Sequence, residues 1–195
     1  MSFAFIVCVG VIGSFVYAYD FTKEFFIHSP EYTKQLKYSR QDPPFSMLAP
    51  EGWYMALRKE EAGPSSTGVM FFKRNPEEKG REGILELPYI RVDFFINKDI
   101  ASAIDHALQV VATVKKEGVN VLTEAEEIEA DGEIGSHFTT DSPFKGSKEI
   151  LDNYFFVNEY RVITIAAVCE SAEFEEAKKE IREAINSIKF SSPIE

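Results

Sequence analysis

The sequence predicts an α+β protein, an antiparallel β-sheet packed by helices. Three observations predict it. The apolar period changes from two to that of a helix after residue 98. Two-residue turn signals, Asp131-Gly132 and Asn158-Glu159, each separate a pair of strand-like runs. A second helical stripe then closes the chain.

The first 18 residues carry no charged side chain and are apolar from Phe3 to Val16 apart from Gly10, Gly13 and Ser14. Val16-Tyr17-Ala18 resembles a signal-peptidase site, so residues 1–18 read as a signal peptide cleaved after Ala18. The apolar run is short for a membrane span, which takes about 20 residues. An uncleaved N-terminal membrane anchor and a folded strand are the alternatives. No Lys or Arg precedes the run, and Cys8 lacks the flanking small residue of a lipoprotein signal. Cleavage would leave Cys169 as the sole cysteine. Residues 19–42 are polar and aromatic with weak periodicity, and read as an exposed leader ending in Asp42-Pro43-Pro44.

A single domain is expected over residues 43–191. It opens on Phe45-Ser46-Met47-Leu48 and turns at Ala49-Pro50-Glu51-Gly52-Trp53, where proline presets φ and glycine accepts positive φ. Strands are predicted over 54–59 and 68–73, around the loop Gly63-Pro64-Ser65-Ser66. Residues 75–87 form a second long polar loop. Over 88–96, Ile90, Val92, Phe94 and Ile96 alternate with Tyr89, Arg91, Asp93 and Phe95. A helix near 99–117 follows, capped by Asp99, with Ile100, Ala103, Ile104, Ala107, Leu108, Val111 and Val114 inward and Gly118 at its end. Strands over 121–130 and 133–140, then 150–157 and 160–168, make two hairpins. Ser171 is the expected cap of a last helix near 172–188, with Phe174, Ala177, Ile181, Ala184, Ile185 and Ile188 inward and Glu173, Glu175 and Glu176 at the positive end of its dipole.

This order and these local signatures resemble the PsbP-like family, the fold shared by photosystem II extrinsic proteins and a Ran-binding release factor. The matching pieces are Phe45 through Trp53, the Val92-Asp93-Phe94 strand before a long helix, the Tyr154-Phe155-Phe156 and Arg161-Val162-Ile163-Thr164-Ile165 hairpin, and the closing Ile185-Asn186-Ser187-Ile188-Lys189-Phe190. They span roughly residues 43–191. The resemblance implies an extracytoplasmic accessory or binding protein without a shared catalytic site, and a bacterial PsbP-related protein of the cell envelope is the nearer likeness. No binding residue transfers with it.

Composition narrows the function. The chain has 195 residues, 45% hydrophobic and 27% charged, which excludes a mainly disordered protein. Its 32 acidic and 21 basic side chains give a net charge of −11, which argues against broad nucleic-acid binding and electrostatic docking on anionic lipid. Two cysteines exclude a disulfide scaffold. The three histidines, His28, His106 and His137, have no metal-ligand spacing, and His106 falls beside the helix stripe, a surface position. Ser136, His137 and Asp141 lie on one strand, where Ser136 and His137 face opposite sides, so they do not form a triad. Glu124, Glu126, Glu127 and Glu129 occupy both phases of a strand and read as a solvated edge, with weak divalent-cation binding as the functional alternative. Trp53 is expected in the core and Cys169 as a buried structural thiol.

No catalytic, cofactor or metal residue is assigned. The reading is a non-enzymatic accessory or binding module of the cell envelope, in the periplasm or at the outer face of the membrane, contacting a protein partner. A small-ligand or divalent-cation binding protein, and an enzyme using Cys169 or His137, are the alternatives. Loops 60–67 and 75–87 are the expected contact surface.

Overall fold

The structure, a computed structural model, describes residues 25–30, 35–58, 66–75, 87–143, 146–158 and 161–190. Residues 1–18, with the predicted signal or anchor, lie outside these, as do 60–65 and 76–86 of the two long loops. Among the described residues no helix is long and apolar enough to cross a membrane.

The chain runs β1 (Phe25–His28), β2 (Lys37–Gln41), β3 (Pro44–Leu48), β4 (Tyr54–Arg58), β5 (Ser66–Phe72), β6 (Tyr89–Ile96), α1 (Ala103–Lys116), β7 (Val121–Ala130), β8 (Glu133–Asp141), β9 (Glu149–Asn158), β10 (Arg161–Glu170) and α2 (Phe174–Asn186). Eight strands form one antiparallel sheet in the order β1-β4-β5-β6-β10-β9-β8-β7, and β2 pairs with β3 separately. The predicted class is the one observed.

Strand alternation divides the sheet into two faces. Ile90, Val92 and Phe94 of β6 stand in register with Ala167, Ile165 and Ile163 of β10, and all six join one core cluster. Phe174, Ala177, Ile181, Ala184 and Ile185 of α2 close over it, together with Tyr38, Phe45 and Met47 of the β2–β3 hairpin. On the opposite face Ala103, Ala107, Val110, Val111 and Val114 of α1 pack on Phe138 and Phe155. The small and β-branched side chains of this face let α1 lie close to β8 and β9.

Part of the presumed leader is folded. β1 pairs with β4 along the sheet edge, and Tyr38 of β2 is only 9% exposed, its ring 6.2 Å from that of Phe45 and 6.3 Å from that of Phe94. Only one β2 position in five is buried, so the segment shows no apolar period. A glycine makes room for the ring, since a Cβ on Gly68 would stand 2.7 Å from the Tyr38 hydroxyl.

The helix caps also differ from expectation. Ser102, not Asp99, caps α1: its Oγ accepts from Asp105 N at 3.2 Å and donates to the Asp105 carboxylate at 2.7 Å. Helix α2 starts at Phe174 after Glu173, with no side-chain cap. Ser171 lies two residues before that cap position, and its N–H bonds to Lys148 O at 2.7 Å as the sheet ends. The turn predictions at Gly118 and Asp131-Gly132 hold, while residue 159 of the predicted Asn158-Glu159 turn lies outside the described residues. Gly118 ends α1 at φ +82°, and Asp131 and Gly132 take φ 52° and 82° in the β7–β8 turn. The Asp131 carboxylate is held by Lys189 Nζ at 2.8 Å and Phe190 N at 3.0 Å.

Candidate functional site

The most concentrated polar chemistry lies on the α2 face, where β7, β8 and β9 meet. Register sets Thr139 opposite Asp152 and His137 opposite Tyr154. Asp152 is fully buried and accepts three hydrogen bonds: from Thr139 Oγ1 at 2.8 Å, from Tyr154 Oη at 2.6 Å, and at 2.6 Å from His137 Nε2. The other ring nitrogen, His137 Nδ1, lies 3.2 Å from Glu126 Oε1 on β7. A neutral imidazole donates from one nitrogen only, whereas the imidazolium donates from both. Two carboxylates facing two nitrogens therefore suit the charged ring. Burial alone lowers the His137 pKa, but the hydrogen bond and charge of Asp152, with Glu126 behind, raise it on balance. Asp152 is the counterpart: burial raises its pKa, and the bonds from His137, Tyr154 and Thr139 bring it below the ordinary value. Burial and the neighbouring Asp152 keep the Tyr154 phenol protonated by pushing its pKa up.

This network orders groups but holds no nucleophile. Cys169 lies on the same face, buried to zero exposure, and its thiol is pushed up to about 12 by burial, then by the charges of Asp152 and Glu173. Along β10 the row of His137 passes through Ile165, four residues from Cys169, or about 13 Å at strand rise. Ser136 points to the other face and donates to Ala103 O of α1 at 2.8 Å. Asp141 accepts from Asn120 Nδ2 at 3.1 Å. The Ser136–His137–Asp141 set is thus dispersed. Among the described residues no group of three or more His, Cys, Asp or Glu could hold a metal ion. Glu124, Glu126, Glu127 and Glu129 are all exposed.

His106 corrects the sequence reading. It is 4% exposed, and Leu108, predicted inward, is 51% exposed. The buried face of α1 runs through 103, 106, 107, 110, 111 and 114, which includes His106 and leaves Leu108 outside. The His106 ring meets Phe155 edge-on at 4.8 Å and lies 6.3 Å from that of Phe95. Its Nε2 has no hydrogen-bond partner, and burial lowers its pKa to about 4. Trp53 packs in the core as expected, with Nε1 donating to Glu180 at 2.9 Å, while Lys73 Nζ reaches the same carboxylate at 3.0 Å. A shallow groove by the β9–β10 turn is lined by Pro43, Pro44, Phe156, Arg161, Ile163 and Phe190, and its Arg161 pairs with Asp42 at 2.8 Å.

Sequence reasoning named His137 but missed Asp152, Thr139 and Tyr154. The available signal was Asp152-Asn153 inside the apolar run of residues 150–157: an acid in a buried strand requires a partner.

No family model and no curated protein matches the chain. Among solved structures it resembles cyanobacterial PsbP (CyanoP) from Synechocystis sp. PCC 6803, with a TM-score of 0.55 and 15% identity over 82% of this chain and 94% of that one. It also resembles the Ran-binding protein Mog1p of Saccharomyces cerevisiae, with a TM-score of 0.51 and 10% identity over 82% of this chain and 96% of that one. At these identities the likeness is one of fold, and the fold is PsbP-like.

Proposed function

We propose that this chain is a non-enzymatic binding module that acts by contacting a protein partner, outside the cytoplasm, at the cell envelope. The carrying observation is the state of the two side chains that the enzyme alternative would use: His137 has both ring nitrogens engaged by carboxylates, and Cys169 is a buried thiol with its pKa pushed up to about 12. A group so engaged neither attacks nor shuttles protons to a substrate. The shared fold with a protein described as Ran-binding supports a partner-binding use of the scaffold. The reading keeps residues 1–18 as a signal peptide or anchor and the PsbP-like domain as the working part.

The test is purification of the full chain from the source envelope. The expected result is a stoichiometric complex with a second protein that survives gel filtration, and N-terminal sequencing that starts after Ala18 or finds Met1 in the membrane fraction. A soluble cytoplasmic chain with Met1 retained overturns the compartment. A chain that elutes alone overturns the binding module.

A further inference from the structure

We propose that the outer edge of β7 takes up an extended basic segment of a protein partner, which adds as a further strand to the eight-stranded sheet. This rests on the reading of the chain as a protein-binding module. β7 has ten residues and ends the sheet, and among the described residues only β8 pairs with it. The opposite edge, β1, has four. Regular pairing with β8 runs from Glu126 to Ala130, beyond two register shifts nearer the strand's start. An added strand would find its unbroken template there, where backbone hydrogen bonds supply affinity and alternate side chains supply selectivity.

The side chains specify the occupant by charge. Residues 121–141 contain no Lys or Arg. Lys115 meets Glu124, Lys189 meets Asp131 and His137 meets Glu126, which leaves Glu127 and Glu129 without an ion pair among the described residues. Exposed Ile134, at 55%, stands in register with Glu129, and Leu122 is 43% exposed on β7 itself. The edge therefore offers uncompensated carboxylates beside exposed aliphatic groups. Charge on an edge strand blocks pairing with a like-charged copy, and the same charge draws in a strand of alternating basic and aliphatic residues.

The probe is a fluorescent ten-residue peptide of alternating Lys and Val, added to the full chain and followed by anisotropy and by hydrogen exchange. Three comparisons accompany it: a Glu–Val peptide, the Lys–Val peptide methylated on alternate backbone nitrogens, and the Glu127→Lys/Glu129→Lys protein. The expected result is Lys–Val binding with slowed exchange across Glu126–Ala130, weakened at least tenfold by backbone methylation and by the double substitution. Both positions are exposed, and an unchanged melting midpoint verifies that the variant folds. Equal binding of the methylated peptide, or protection away from β7, overturns strand addition. A β7-paired dimer in sedimentation also overturns it, by making a second copy the occupant. If the envelope partner still binds the double variant, the edge assignment falls and the binding-module reading stands. If no partner accompanies the unaltered chain, that reading itself falls.

Discussion

Replacing His106 with leucine stabilises the protein, and more at pH 5 than at pH 7.5. The folded ring sits against Phe95 and Phe155 with Nε2 unpartnered, and burial lowers its pKa to about 4. In the unfolded chain the value returns to about 6.5. Between the two, the unfolded state binds more protons, so stability falls as pH falls. The penalty is RT times the logarithm of the ratio of the two binding polynomials. It is near zero at pH 7.5, about 2 kcal/mol at pH 5, and approaches about 3 kcal/mol below pH 4. Leucine removes this penalty. It also removes the orphaned nitrogen, whose desolvation costs about 1–3 kcal/mol at any pH, offset in part by the lost ring contact. The assay is urea unfolding followed by fluorescence of Trp53, the single tryptophan. His137 and Asp152 lie on the other face of the sheet, so their titrations cancel in the difference between the two proteins. A stability gap that changes by less than about 0.5 kcal/mol from pH 7.5 to pH 5 refutes the reasoning.

Asp152→Asn leaves the His137 imidazolium without its buried counterion and costs about 3–5 kcal/mol, read by the same unfolding assay; it also lowers the His137 pKa, read by NMR titration of the ring protons. His137, with its pKa raised on folding, contributes stability that is fully present below about pH 6.5 and is lost as pH rises through its folded value, so His137→Gln should flatten the decline in stability on the alkaline side. Gly135→Ala places a Cβ 2.5 Å from the Phe156 ring and 2.7 Å from Phe155 O, and should cost about 1–3 kcal/mol by thermal or urea denaturation. Iodoacetamide should leave Cys169 unmodified in the folded protein, as site-resolved mass spectrometry would show; rapid alkylation under native conditions contradicts the buried, protonated thiol.

What the sequence made legible was periodic. The β7–β8 turn was readable because Asp131-Gly132 both accept positive φ, and α2 because Ala177, Ile181, Ala184 and Ile185 repeat on one face. β2 was not legible, because a strand that buries one tyrosine in five positions has no period to detect. His106 was misplaced for a related reason. Two apolar stripes fit α1, and the choice between them depends on Phe155, which is 49 positions away in sequence and adjacent in space. The polar network was half legible. Alternation placed His137 on the face opposite Ser136, but Asp152 becomes its partner only through the β8–β9 register, which no local pattern specifies.

The closure of the β3 hairpin onto the end of α2 has a consequence for how the chain is made. Ser46 and Lys189 exchange backbone bonds at 2.8 and 2.9 Å, Leu48 N donates to Ser187 Oγ across 139 positions, and Trp53 reaches Glu180 across 127. A chain emerging N-terminus first therefore carries Phe45, Met47 and Trp53 without the cover of α2 until residues 174–190 have been synthesised. Such long-range closure is slow relative to local pairing. The face of the β3 hairpin is thus left open by the topology of the domain while β4 to β10 are made, and it locks only when α2 arrives.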